Sequence, residues 1–153
     1  MTATYHRSAR FSGLPDPQAQ PEFYRSVPMR RFSAFALDSL LICIITVIAI
    51  PLTGFTGLFF LPVLVTVISF IYRFWTLRSG SATWGMRLVG IELRDHRGER
   101  LSPGIAAAHV GLYLVFLGTV LPTLISLASM MMTSRRQSLP DLFLGVAAIR
   151  TPA

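Results

Sequence analysis

Four residues of this chain have types and spacings that could do chemistry: Arg31, Asp38, His109 and Asp141. Arg31 and Asp38 stand seven apart in "RRFSAFALD", close to two helical turns, so a helix puts them on one face, about 10 Å apart along the axis. The apolar run that follows makes this acid expensive. A charge deep in a bilayer costs about 2.5–3.5 kcal/mol on insertion scales, so Asp38 must face protein or water and find a partner. Such a carboxylate can titrate, meet a cation or pin helices together. The plainer alternative starts the helix later and leaves Asp38 near the interface as a cap. Against it, "FSAFALDSLLICII" is helix-compatible throughout.

His109 lies one turn inside a later apolar stretch, in "AAAHVGLY". A histidine there can carry a proton, or simply hydrogen-bond a carbonyl. Asp141 follows Ser138 by three residues in "SLPDLF", a capping-box spacing with proline tolerated in the first turn. It can cap a short terminal helix or pair with Arg31. The cluster Arg31, Asp38 and Asp141 can assemble only if the chain returns Asp141 to the side of the membrane where Arg31 sits.

Other chemistry is not expected. His6, His96 and His109 share no ligand spacing and Cys43 is the single cysteine, so no metal site is expected. There is no nucleotide loop, no nucleophile elbow and no carboxylate pair with a histidine base. The expectation is a protein that is not an enzyme and needs no cofactor.

The elements that position these residues follow from composition. Apolar residues make up 52% of the 153 and charged residues 14%, against roughly a quarter charged in soluble domains. The net charge is +7 and all fourteen basic residues are arginines. They flank the apolar runs, which points to membrane orientation and a lipid-bilayer partner, with no nucleic acid.

Residues 1–27, with Pro15, Pro17 and Pro21, read as a disordered tail. From Ser39 to Tyr72 there is no charge. As one helix this run would reach about 51 Å, against about 30 Å of hydrocarbon. It therefore splits at "IPLTGFTG" into helices near 31–50 and 57–77. The next stretch is polar, and "GIELRDHRGERLS" reads as a strand, a turn over "DHRG" and a second strand, a short β-hairpin-like loop. The loop and its border, from Arg73, carry six arginines against three acids, and the tail with Arg30 and Arg31 five against two, which puts both, and the N-terminus, in the cytoplasm. The third apolar region, Ile105 to Ser134, is interrupted by Gly118 and Pro122. It is either one kinked span or two shorter helices near 105–118 and 122–133. Arg135 and Arg136 favour the returning hairpin. The expected fold is thus an all-α integral membrane protein, a helical hairpin plus an interrupted third apolar region, with its domain over 28–150.

Three motifs in order resemble the RDD family of small bacterial membrane proteins, named for one arginine and two aspartates. The first is Arg31, Ala34 and Asp38. The second is Thr83, Gly85, Leu88, Gly90 and Ile91, with Met86 at the usual lysine and Arg87 following. The third is Arg136, Gln137, Asp141 and Gly145, with Pro140 where histidine is common. The resemblance implies a multi-pass protein of the bacterial inner membrane and suggests transport of an unknown ligand or ion. Three or four short helices rarely enclose a path, so transport asks for a homo-oligomer or a membrane partner. The residues themselves leave a second reading open: a non-catalytic scaffold or accessory subunit in which the Arg/Asp cluster is structural.

Overall fold

The computed structural model describes residues 13–151. Helix α1, Val27–Leu52, starts with a proline in its first turn and ends just after Pro51, as the missing proline N–H and fixed φ require. A turn with Gly54 and Phe55 at positive φ leads into α2, Leu61–Gly80. The two pack as a hairpin. Their buried faces are unusually polar: Ala34, Asp38, Ile42 and Thr46 on α1, and Ser69, Arg73, Thr76 and Leu77 on α2. Their exposed faces carry Leu40, Ile44, Val47, Val63, Val67 and Ile71. Polar inside and apolar outside inverts the soluble pattern and suits a bilayer. Pro21–Leu52 and Leu61–Gly80 are long and apolar enough to cross a membrane, with mean hydropathy 2.5 and 1.3. This is an all-α membrane protein with a small appended sheet.

The short helix α3, Trp84–Leu88, follows the hairpin, capped by the Thr83 hydroxyl. Strand β1, Ile91–Arg94, comes next. The interrupted third region is a sharply bent pair: the chain bends by 116° between α4, Pro103–Leu117, and α5, Val120–Met132. Thr119 and Thr123 hydroxyls donate to the carbonyls of Val115 and Phe116, at 3.0 and 2.6 Å, and so satisfy backbone groups that the break frees. Helix α6, Leu139–Leu144, and strand β2, Ala147–Arg150, complete the chain.

Two expectations need correction. The strand after "DHRG" does not form. The turn itself is present, with Asp95 Oδ1 accepting from the N–H groups of Arg97 and Glu99 at 2.9 Å. However, β1 pairs antiparallel with β2, Ile91 opposite Arg150 and Arg94 opposite Ala147. The segment "GERLS" offers one large apolar side chain, whereas Ala147, Ala148 and Ile149 are all buried and bring core surface to the pairing. Residues 13–27, expected to be disordered, are ordered. Leu14 and Tyr24 are buried against Ala147 and Ile149, and the Tyr24 hydroxyl donates to the Pro15 carbonyl at 2.9 Å. Apolar anchors outweigh the proline-rich composition here, because prolines restrict the backbone instead of loosening it. Residues 1–12, and His6 with them, lie outside the described residues.

Candidate functional site

Asp38 sits on the inner face of α1 and is 1% exposed. Four donors converge on its carboxylate. Oδ1 accepts from the Tyr72 hydroxyl at 2.6 Å and from the Gly85 N–H at 2.9 Å. Oδ2 accepts from the Thr83 hydroxyl at 2.7 Å and from Arg73 Nη1 at 3.3 Å. The same groups tie onward: Thr83 Oγ1 accepts from the Met86 N–H, and the Tyr72 hydroxyl accepts from the Trp84 N–H. One acid thus joins α1, α2 and the first turn of α3.

This approach depends on Gly85. A Cβ there would lie 2.4 Å from the Ala34 carbonyl oxygen and 2.8 Å from Asp38 Oδ1. Only glycine lets the α3 backbone come close enough for its N–H to reach the carboxylate.

Asp141 is fully buried. It closes a capping box with Ser138, whose N–H donates to Oδ2 at 2.9 Å. Arg31 Nη2 lies 2.5 Å from the same oxygen, off the hydrogen-bonding direction, so the contact is an ion pair. Arg31 Nη1 also donates to the Ser138 hydroxyl at 3.3 Å. On the other side His109 Nε2 is 2.8 Å from Oδ1. Burial alone would raise the Asp141 carboxyl. The Arg31 guanidinium and the His109 hydrogen bond outweigh it and hold the group well below the usual carboxylate range.

The expected trio is therefore rearranged. Arg31 meets Asp141, which needs the chain to return after α4 and α5, and the bend supplies that return. Asp38 takes Arg73 as its counter-ion, and His109 joins Asp141. Arg87, which follows Met86 at the lysine position of the motif, is exposed and packs over the Trp84 ring at 5.4 Å. Sequence reasoning missed Arg73, Tyr72 and Thr83 as site residues. A signal existed for Arg73. In an antiparallel hairpin, residues equidistant from the turn lie side by side, and 38 and 73 are equally far from the break between 55 and 56.

Both ion pairs border one cavity of about 370 Å³ between α1, α2 and the bent pair. Its polar lining includes Arg31, Asp38, Arg73, Thr83, His109 and Ser138. Its apolar lining includes Phe32, Phe35, Val110, Phe116, Leu127 and Met130. Tyr113, also on the wall, faces the Arg73 guanidinium with its ring, 4.6 Å from centroid to Cζ. Among the described residues each carboxylate oxygen of Asp38 and Asp141 has a partner, whereas Arg31 Nε and Arg73 Nε are buried without an acceptor. No three His, Cys, Asp or Glu side chains gather as a metal site among the described residues.

The family model described as "RDD family" matches residues 25–145, a stretch that holds every residue of this site. No curated protein and no solved structure is significantly similar to the chain.

Proposed function

We propose, from the premise that the chain belongs to the RDD family, that it is a transport-type protein of the bacterial inner membrane whose ligand occupies the cavity between the two ion pairs. The chain crosses more than once and keeps its N-terminus in the cytoplasm, a reading supported by the arginine excess in the tail and in the loop after α2.

The observation that carries this reading is the division of labour around the cavity. Asp38 accepts four hydrogen bonds from protein, so it acts as a staple and not as an ion carrier. Arg31 and Arg73 line the same cavity, and a ligand with acceptor atoms there would meet their guanidinium groups in charge-assisted hydrogen bonds. The saturation of Asp38 also favours the second reading, a non-catalytic scaffold in which the pairs only fix helix arrangement.

Flux separates the two. The purified protein is reconstituted in liposomes and offered a panel of labelled inorganic ions and small organic anions. Protein-dependent flux that Arg31→Gln and Arg73→Gln abolish, while both still insert, is the expected result. Flux of no panel member above protein-free liposomes, or variants as active as the parent, would reject transport and leave the scaffold.

A further inference from the structure

The cavity is bordered by the two guanidinium groups and also by side chains that are themselves open to the outside: Phe32 is 68% exposed, Leu127 52%, Leu117 46% and Phe35 38%. These lie on α1 and on the bent pair, so the cavity opens sideways through an apolar mouth between them, and the surface around that mouth is the apolar surface that meets lipid. A pocket for an aqueous ion would open to water through polar walls. This one opens toward hydrocarbon.

Depth agrees with charge. Arg31 is in the second turn of α1, which begins at Val27, so it sits about 6 Å along the helix at ~1.5 Å per residue. Asp38, with Arg73 beside it, lies about 10 Å deeper. The two guanidinium groups therefore span the headgroup and upper acyl region of the leaflet that holds the α1 start. Arg31 and Arg73 line the cavity, and the Asp38 carboxylate beside them already accepts from four protein donors, so the charged end of a ligand there must bring oxygen acceptors. The ligand must also bring an apolar body to cover the mouth. The volume falls within the usual range of small-molecule sites, about 300–1,000 Å³.

We propose that the cavity binds a single-chain amphiphile with an anionic oxygen headgroup, a long-chain carboxylate or phosphate monoester, which slides in laterally from the leaflet. The headgroup accepts from Arg31 and Arg73 under the Tyr113 ring, and the chain leaves between Phe35 and Leu127. The inference rests on the cavity as the ligand site but not on transport, because binding is measured without flux.

The test is native mass spectrometry of the full chain released from nanodiscs, with titration of added palmitate, lysophosphatidate, hexadecanol and butyrate. Saturable one-to-one binding of palmitate or lysophosphatidate is expected, and whichever of the two binds more tightly identifies the headgroup. Hexadecanol should bind about 10- to 100-fold more weakly, the loss of one or two charge-assisted hydrogen bonds, and butyrate more weakly still. Arg73→Gln should lose a similar factor. Because Arg73 also holds Asp38, Leu127→Trp is the second variant. Helix α5 has no buried residue, so this change narrows the mouth without touching the core, and it should weaken palmitate while sparing thermal stability. Hexadecanol equal to palmitate would overturn the anionic headgroup. Butyrate equal to palmitate, or a Leu127→Trp protein that binds as the parent does, would overturn lateral access. Absence of saturable binding by either anion would overturn the proposal, whatever the flux assay gives.

Discussion

Removing the Asp38 carboxylate tests the central claim that one acid staples α1, α2 and α3. In Asp38→Ala the Arg73 guanidinium, with 8% of its side chain exposed, loses its counter-ion. At the observed separation of 3.3 Å the pair attraction is about 5 kcal/mol for an effective dielectric of ~20, most of which offsets desolvation. Breaking a buried pair on one side costs about 3–5 kcal/mol, because a charge is left uncompensated. Thr83, Tyr72 and the Gly85 N–H lose their acceptor too, at about 1 kcal/mol or more for each one that water does not reach. Asp38→Ala should therefore fall at the upper end of about 3–5 kcal/mol. The double variant Asp38→Ala/Arg73→Met removes both charges and fills much of the arginine volume. It should recover at least about 2 kcal/mol relative to the single change, since an apolar replacement of a buried pair is often neutral. The assay is denaturant-induced unfolding in mixed micelles, read as a double-mutant cycle. A single variant within about 0.5 kcal/mol of the parent, the usual range for surface changes, would refute the staple. So would a double variant no more stable than the single one.

Further outcomes follow from the same geometry. Gly85→Ala places a methyl against the Ala34 carbonyl oxygen, which is backbone and cannot rotate away. It should cost about 1–3 kcal/mol, read as a lowered Tm, whereas Gly104→Ala, with nothing near its Cβ, should be far milder. The Asp141 carboxyl is depressed in the folded protein, so its stabilisation is complete above the unfolded carboxylate value of about 3.9 and fades as pH falls through that value toward the folded one. Unfolding at graded pH should show stability flat above about pH 5 and declining below it. In Arg31→Gln that decline should be shallower, because the main cause of the depression is gone. In a Cys43→Ser background, Arg31→Cys and Arg136→Cys should react with an impermeant thiol reagent from the same side of the membrane. Opposite-side labelling would contradict the returning bent pair.

Much of this molecule is legible along the chain because its signals are local. An uncharged run too long for one span, broken by Pro51, Gly54 and Gly57, leaves only a hairpin. The Ser138–Asp141 spacing writes a capping box that the structure contains. The cost of a carboxylate in an apolar helix demands a partner for Asp38 whatever the fold, and the interrupted third region carries its own break at Gly118 and Pro122. What the chain by itself leaves undecided is which groups meet across distance. Asp38 could have chosen Arg31 on its own helix. The hairpin instead brings Arg73 to the same depth, and Gly85 lets a backbone N–H close in beside it. The strand Ile91–Arg94 could have folded back on its neighbour, but buried apolar surface more than fifty residues later pairs with it better. Proline-rich residues 13–27 read as loose until the β2 face they cover is in view. Periodicity, breakers and caps act within a few residues and are determined by the sequence alone. Ion-pair choice, strand pairing and the cavity depend on which surfaces packing leaves open, and only the tertiary structure decides those.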